Sequence, residues 1–123
     1  MKAEFTARIE DGKYNGKIVN IEERTEPYEY TDFIIEYEIG KKKIELKFGC
    51  PSNLTYDEKT KKPTSKLATT LEDFGFKMDF DKEITIDDLK KHFVGMKVSS
   101  LVANEKTKKG GVFAVIKTLT PRL

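Results

Sequence analysis

The chain has 123 residues, 36% of them charged and 37% hydrophobic, which gives room for one domain with a real core and not for two ordinary ones. Lys and Arg (23) barely exceed Asp and Glu (21), so the formal charge of +2 argues for no partner by itself; nucleic-acid affinity comes from locally clustered cations that release phosphate counterions. The single cysteine, Cys50, excludes an internal disulfide and a cysteine-cluster zinc site, and no apolar run reaches transmembrane length.

"MKAEFTARIEDG" (1–12) lacks an apolar signal core and is expected to be a loosely ordered lead into a single domain covering 1–123. The expected location is cytoplasmic, in a reducing compartment. A first strand is expected over 14–24. Its two apolar sets, Tyr14 with Ile18 and Val19 with Ile21, fall on opposite faces. The strand is therefore either covered on both sides or bent at a bulge near Gly16.

"EYTDFIIEYEIG" puts Phe33, Ile35, Tyr37 and Ile39 on one face and Tyr30, Asp32, Ile34, Glu36 and Glu38 on the other, the period of a half-buried strand. "GKKKIELKFGC" repeats the pattern, with Ile44, Leu46 and Phe48 inward and Lys43, Glu45 and Lys47 outward. "GKKK" has the length and glycine of a hairpin loop, so these strands should pair antiparallel, their outward carboxylates and lysines forming cross-strand pairs.

"TSKLATTLEDFGFKMDF" (64–80) has a helical period. Thr64 or Ser65 caps it after Pro63, Leu67, Leu71 and Phe74 form its apolar stripe, and Gly75 stops it. A helix of about ten residues does not survive alone in water and must dock that stripe; the open end of a curved sheet is the expected receiver. "EITIDDLKKHFVG" predicts a shorter helix capped by Thr85, with Asp87 and Asp88 in its first turn, Leu89 and Phe93 buried and Gly95 after its end. "MKVSSLVANEKTKKGGVFAVIKTL" predicts two strands, about 96–105 and 111–119, joined by a lysine-rich loop.

Two architectures suit this order. One is a mainly β, five-stranded barrel of the oligonucleotide/oligosaccharide-binding (OB) type, with a helix between strands 3 and 4 and a short second helix. The other is an open α+β sheet with both helices on one face. The bent first strand and the absence of βαβ alternation favour the barrel.

The succession "GKYNGKIVNIEE", "SNLTYDEKTKKPTSKLATTLEDFGF" and "DDLKKHFVGMKVSSLVANEKTKKGGVFAVI" resembles small single-stranded-DNA-binding-type OB-fold proteins of phages, archaeal viruses and prokaryotic replication loci. The likeness spans roughly residues 12–118 and is one of strand order and turns. It implies a non-enzymatic module that binds single-stranded nucleic acid, DNA above all, in replication or recombination. Other replication proteins, or copies of the chain itself, are the further partners it implies.

OB folds bind with strands 2 and 3 and with the loops joining strands 1–2 and 4–5. Suitable groups there are Arg24, Tyr28 and Tyr30 in the first loop, Lys43 and Lys47 on strand 3, and Lys106, Lys108 and Lys109 in the last loop. Glu22, Glu23, Glu26 and Glu29 flank the tyrosines and repel phosphate. A protein-interaction or self-assembly module on the same fold is the alternative.

No Gly-rich phosphate loop, HExxH pair or Ser/His/Asp arrangement is present, so no catalytic residue, cofactor or metal is expected. Cys50 reads as a structural thiol and His92 as a helix-end residue. Asp79, Asp81 and Glu83 read as a solvated acidic loop, since their spacing does not match a calcium loop.

Overall fold

The computed structural model describes residues 9–122. Residues 1–8, most of the expected loose lead, lie outside the described residues. Ile9 is buried in the core, and its carbonyl accepts from Asn104 Nδ2 at 2.8 Å.

Five strands, β1 (Gly12–Arg24), β2 (Tyr30–Ile39), β3 (Lys42–Pro51), β4 (Lys97–Lys106) and β5 (Val112–Pro121), form one sheet in the order β3-β2-β1-β4-β5. Every hydrogen-bonded pair is antiparallel. The edges β3 and β5 therefore run in the same direction. Their Cα atoms come within 8 Å, but no ladder joins them, so the hydrogen-bonded sheet is mainly β and not closed.

β1 belongs to two ladders at once. Its C-terminal two-thirds pair with β2 and its N-terminal half with β4, with Gly16 and Lys17 in both. A Cβ on Gly16 would meet the Glu36 carbonyl at 2.7 Å and the Tyr37 ring at 2.9 Å, so only glycine lets the strands approach here. Above it the Tyr37 side chain crosses β1, and its hydroxyl donates to Ser100 Oγ on β4 at 2.7 Å.

The bend in β1 is a bulge at Val19, between Ile18 and Asn20, rather than at Gly16. The extra residue reverses the alternation, so Ile18 (opposite Ile35) and Ile21 (opposite Phe33) face the same core instead of opposite sides. The same device recurs where Leu101 pairs with Thr118 and Val102 with Ile116: Lys117 is the extra residue, and Ile116 and Leu119 both point inward.

Helices α1 (Lys66–Asp73) and α2 (Ile86–Phe93) both lie between β3 and β4 in the chain. Ser65 caps α1 by accepting from the Ala68 N–H. At the other end Phe76 N–H donates to Leu71 C=O and Gly75 N–H to Glu72 C=O, the Schellman pattern, with Gly75 at φ +75°. Leu67, Leu71 and Phe74 are buried as the periodicity predicts, and Ala68 and Thr70 join them.

α2 carries a full capping box between Thr85 and Asp88. Its end is sewn to β1: Gly95 N–H donates to Ile18 C=O at 2.7 Å, and Ile18 N–H to Met96 C=O at 3.0 Å. The fully buried Phe93 ring lies 5.1 Å from Phe33 and 5.6 Å from Phe74. The two helices therefore fill the end of the core together, where sequence periodicity assigns that role to α1 alone. Among the described residues, no helix is long and apolar enough to cross a membrane.

Candidate nucleic-acid interface

The outer face of β1, β2 and β3 is built in cross-strand rows. Arg24, Tyr30 and Pro51 form one, Glu22, Asp32 and Gly49 the next, and Asn20, Ile34 and Lys47 the third. Alternation predicts a solvated face here, yet Asp32 is fully buried and Ile34 is 6% exposed, so β2 is covered on both sides from Thr31 to Ile35. β2 is flanked by β1 and β3, and long side chains from both lie over it.

Asp32 holds the centre. Its carboxylate accepts from Arg24 Nε at 2.6 Å and from Nη2 at 3.1 Å, a two-point ion pair. The Arg24 side chain keeps 42% exposure, and its guanidinium carbon lies 4.6 Å from the Tyr30 ring centroid. The hydrogen bonds to Asp32 push the Arg24 pKa above its ordinary value, and a guanidinium is charged at any working pH. Gly49 provides the room, since a Cβ there would sit 2.7 Å from Asp32 Oδ1 and 3.4 Å from Arg24 Nη2. The outcome is a flat, clamped arginine stacked on a tyrosine, facing solvent at the mouth of the β1–β2 loop.

Tyr28, in that loop, is 72% exposed and the most open aromatic of the expected set. Lys47 lies opposite Ile34 rather than a carboxylate, and its ammonium reaches Glu22 on β1 at 3.9 Å. Lys43 lies opposite Glu38, and its ammonium reaches the diagonal Glu36 at 4.0 Å; Glu36 itself faces Glu45, a like-charge pair. The alternating charge ladder expected for this hairpin is therefore only partly formed. Arg24, Lys43 and Lys47 thus all lie near carboxylates, and Lys17 on β1 is placed opposite Glu36.

Lys106, Lys108 and Lys109 sit at the end of β4 and in the β4–β5 loop, all exposed. That loop is pinned by Thr107 N–H to Gly111 C=O at 2.7 Å and Gly111 N–H to Thr107 Oγ1 at 2.9 Å. β1 runs from the β4 ladder at Gly12 to the Tyr30 row at Arg24, so this loop and the Arg24–Tyr30 pair lie toward opposite ends of the same strand. Among the described residues, no hydrogen bond or ion pair joins the two groups. The structure brings Arg24 and Tyr30 together, with Lys47 two rows away, and leaves the three loop lysines apart.

Asp32 and Gly49 are the residues that alternation misses. An isolated glycine inside a strand marks close backbone or side-chain approach, and that was the available signal for Gly49. Nothing local tells that Asp32 is buried, because its partner comes from another strand.

Cys50 and His92 make structural contacts. The Cys50 thiol is fully buried, and burial pushes its pKa up, with Lys66 and Thr70 opposing; it is a poor nucleophile. His92 Nε2 lies 2.8 Å from the Phe74 carbonyl and closes the last turn of α1. Among the described residues, no group of three or more His, Cys, Asp or Glu side chains is placed to hold a metal ion. No protein-family model matches the chain, and no curated protein matches it.

Proposed function

We propose that this chain is a non-enzymatic module that binds single-stranded nucleic acid, DNA in replication or recombination, on the outer face of β1–β2–β3. The observation that carries the reading is the Arg24 guanidinium, clamped by Asp32 and lying 4.6 Å from the Tyr30 ring centroid, with Tyr28 exposed in the adjoining loop. Stacked aromatic and guanidinium faces accept any base, each contributing about 1–3 kcal/mol. The architecture supports it. The strand order, the bulged β1 shared by two ladders, the helices between β3 and β4 and the approach of β3 to β5 suit a partly open OB-type barrel, in keeping with the resemblance to single-stranded-DNA-binding-type proteins.

The charge pattern supports a division of roles along a nucleic-acid strand long enough to reach both ends of β1. Lys43 and Lys47 lie near Glu36 and Glu22, so phosphates gain little from them, and the exposed loop lysines 106, 108 and 109 supply the salt-sensitive part of binding. The test is fluorescence anisotropy of a labelled oligonucleotide across a salt series. Binding at low salt is expected, weakened about tenfold by Tyr30→Ala, with a shallower salt slope when the three loop lysines are replaced. An absence of binding by the wild-type chain at low salt overturns the reading.

The alternative is a protein-interaction or self-assembly module. Val112 and Phe113, 39% and 43% exposed at the start of the edge strand β5, favour it. Concentration-dependent sedimentation that Phe113→Asp abolishes, together with no oligonucleotide binding, would establish it.

A further inference from the structure

We propose that Tyr56, Lys61 and Phe80 form a second stacking subsite, away from the sheet face, which takes one unpaired base of the same strand beyond the Arg24–Tyr30 pair. This rests on the nucleic-acid reading above and extends it to a surface that strands 2 and 3 do not supply.

The exit of β3 is tied to the sheet-face site. Ser52 N–H donates to the Glu29 carbonyl at 2.9 Å, and the Ser52 and Thr31 hydroxyls lie 2.8 Å apart. From Pro51, the partner of Tyr30, five residues reach Tyr56, a span of at most about 18 Å. The segment that follows is a built hairpin. Tyr56 pairs with Pro63 in an antiparallel bridge, Asp57 N–H donates to Lys62 C=O at 2.8 Å, and Thr64 N–H to Thr55 C=O at 2.9 Å. Asp57 Oδ1 accepts the N–H groups of Lys59 and Thr60 at the tip. A rigid arm thus carries Tyr56 and Lys61 to Phe80.

Phe80 is 56% exposed, a large apolar side chain left in water although it lines a groove with Phe76 and Met78, which pack against the core. Its ring stands perpendicular to that of Tyr56, at 5.0 Å between centroids, and the Lys61 ammonium lies 5.9 Å from its centre. These residues border a groove of about 210 Å³ lined also by Glu72, Phe76 and Met78. The Glu72 carboxylate disfavours a phosphate inside the groove, whereas Lys61 stands at its border and Lys59 and Lys62 are exposed farther along the arm. Base inward and phosphate outward is the orientation this charge arrangement selects. Asp79 and Asp81 stand on either side of Phe80 in the chain, Asp79 lying 4.0 Å from Lys82, so the Phe80 loop takes the base by its exposed ring and the arm lysines, not the loop, face the phosphate.

The chain contains no tryptophan, so Phe80→Trp makes a sole indole reporter at the subsite. The fluorescence of that variant is expected to fall on adding an oligonucleotide of about 16 nucleotides, and Phe80→Ala is expected to weaken that oligonucleotide about tenfold. An oligonucleotide of about 2 nucleotides, too short to span both places, should bind the Phe80→Ala variant within twofold of wild type, whereas Tyr30→Ala weakens both lengths. If the long strand binds wild type but leaves the indole fluorescence of the Phe80→Trp variant unchanged and Phe80→Ala binds it normally, the subsite is refuted while the sheet-face reading stands. If wild type binds neither length, the sheet-face reading fails and the subsite with it. An indole signal that changes with protein concentration alone would identify the occupant as a second copy and refute the proposal.

Discussion

Asp32 shows how one side chain organises a surface without being on it. Its carboxylate is fully buried, yet it fixes the orientation of an arginine that remains 42% exposed. Because that partner is still wet, the pair contributes less than a fully buried ion pair would; its larger effect is to restrict the guanidinium to one plane. Gly49→Ala is expected to destabilise the protein by about 1–3 kcal/mol, since the new Cβ overlaps Asp32 Oδ1 and must push it or the strand aside. Asp32→Asn should cost a similar amount by removing one charge and one acceptor from the two-point contact. Urea denaturation measures both, and both variants should also lose oligonucleotide affinity although neither residue faces the ligand. A Gly49→Ala protein as stable as wild type would contradict this account.

At the scale of elements, the helices are defined by their ends. α1 and α2 have eight residues each, too short to persist without caps and docking, and each carries a complete N-cap and a glycine after its last turn. The Asp88 carboxylate in the α2 box accepts the Thr85 N–H, and that hydrogen bond holds its pKa below the ordinary aspartate value. Asp57 in the hairpin arm is lowered by the backbone N–H groups of Thr60 and Lys59, and Asp11 by the Asn104 side chain.

A carboxyl group whose pKa is depressed by folding adds stability that is fully present above its unfolded value, about 3.9, and lost as pH falls through the folded one. The melting temperature should therefore be insensitive to these groups near neutrality and drop below about pH 4. Asp88→Ala should be less stable than wild type at pH 7, and the difference should narrow at pH 2.5. A gap of equal size at both pH values would show that the capping carboxylate contributes nothing through its charge.

The whole molecule turns on how far the sheet closes. β1 is hydrogen-bonded on both sides along part of its length, whereas β3 and β5 each have one ladder partner. Native-state hydrogen exchange should thus find the slowest amides in β1 and β2, with β3 and β5 exchanging faster along the edges that face one another. Equal protection of those edge amides would mean that a β3–β5 ladder forms in solution and that the barrel closes.

Local pattern and local chemistry were enough to specify the elements. Period-two runs marked β2 and β3, helical spacing marked Leu67, Leu71 and Phe74, and Thr64 or Ser65, Thr85, Gly75 and Gly95 marked the helix ends, because these features depend on neighbours within about five residues. Arg24, Tyr28, Lys43 and Lys47 could likewise be named from the chain as exposed residues, whereas Tyr30 is half-buried with Arg24 over its ring. What required the tertiary structure was every relation between distant residues. The bulge at Val19 that turns Ile18 and Ile21 to one side, the burial of Asp32 under Arg24, the neighbouring glutamates of Lys43 and Lys47 and the meeting of Tyr56 with Phe80 each depend on register between segments. A shift of one residue in any ladder would send a different side chain to each of those places, and that register is set by the packing of the whole core rather than by any stretch of sequence.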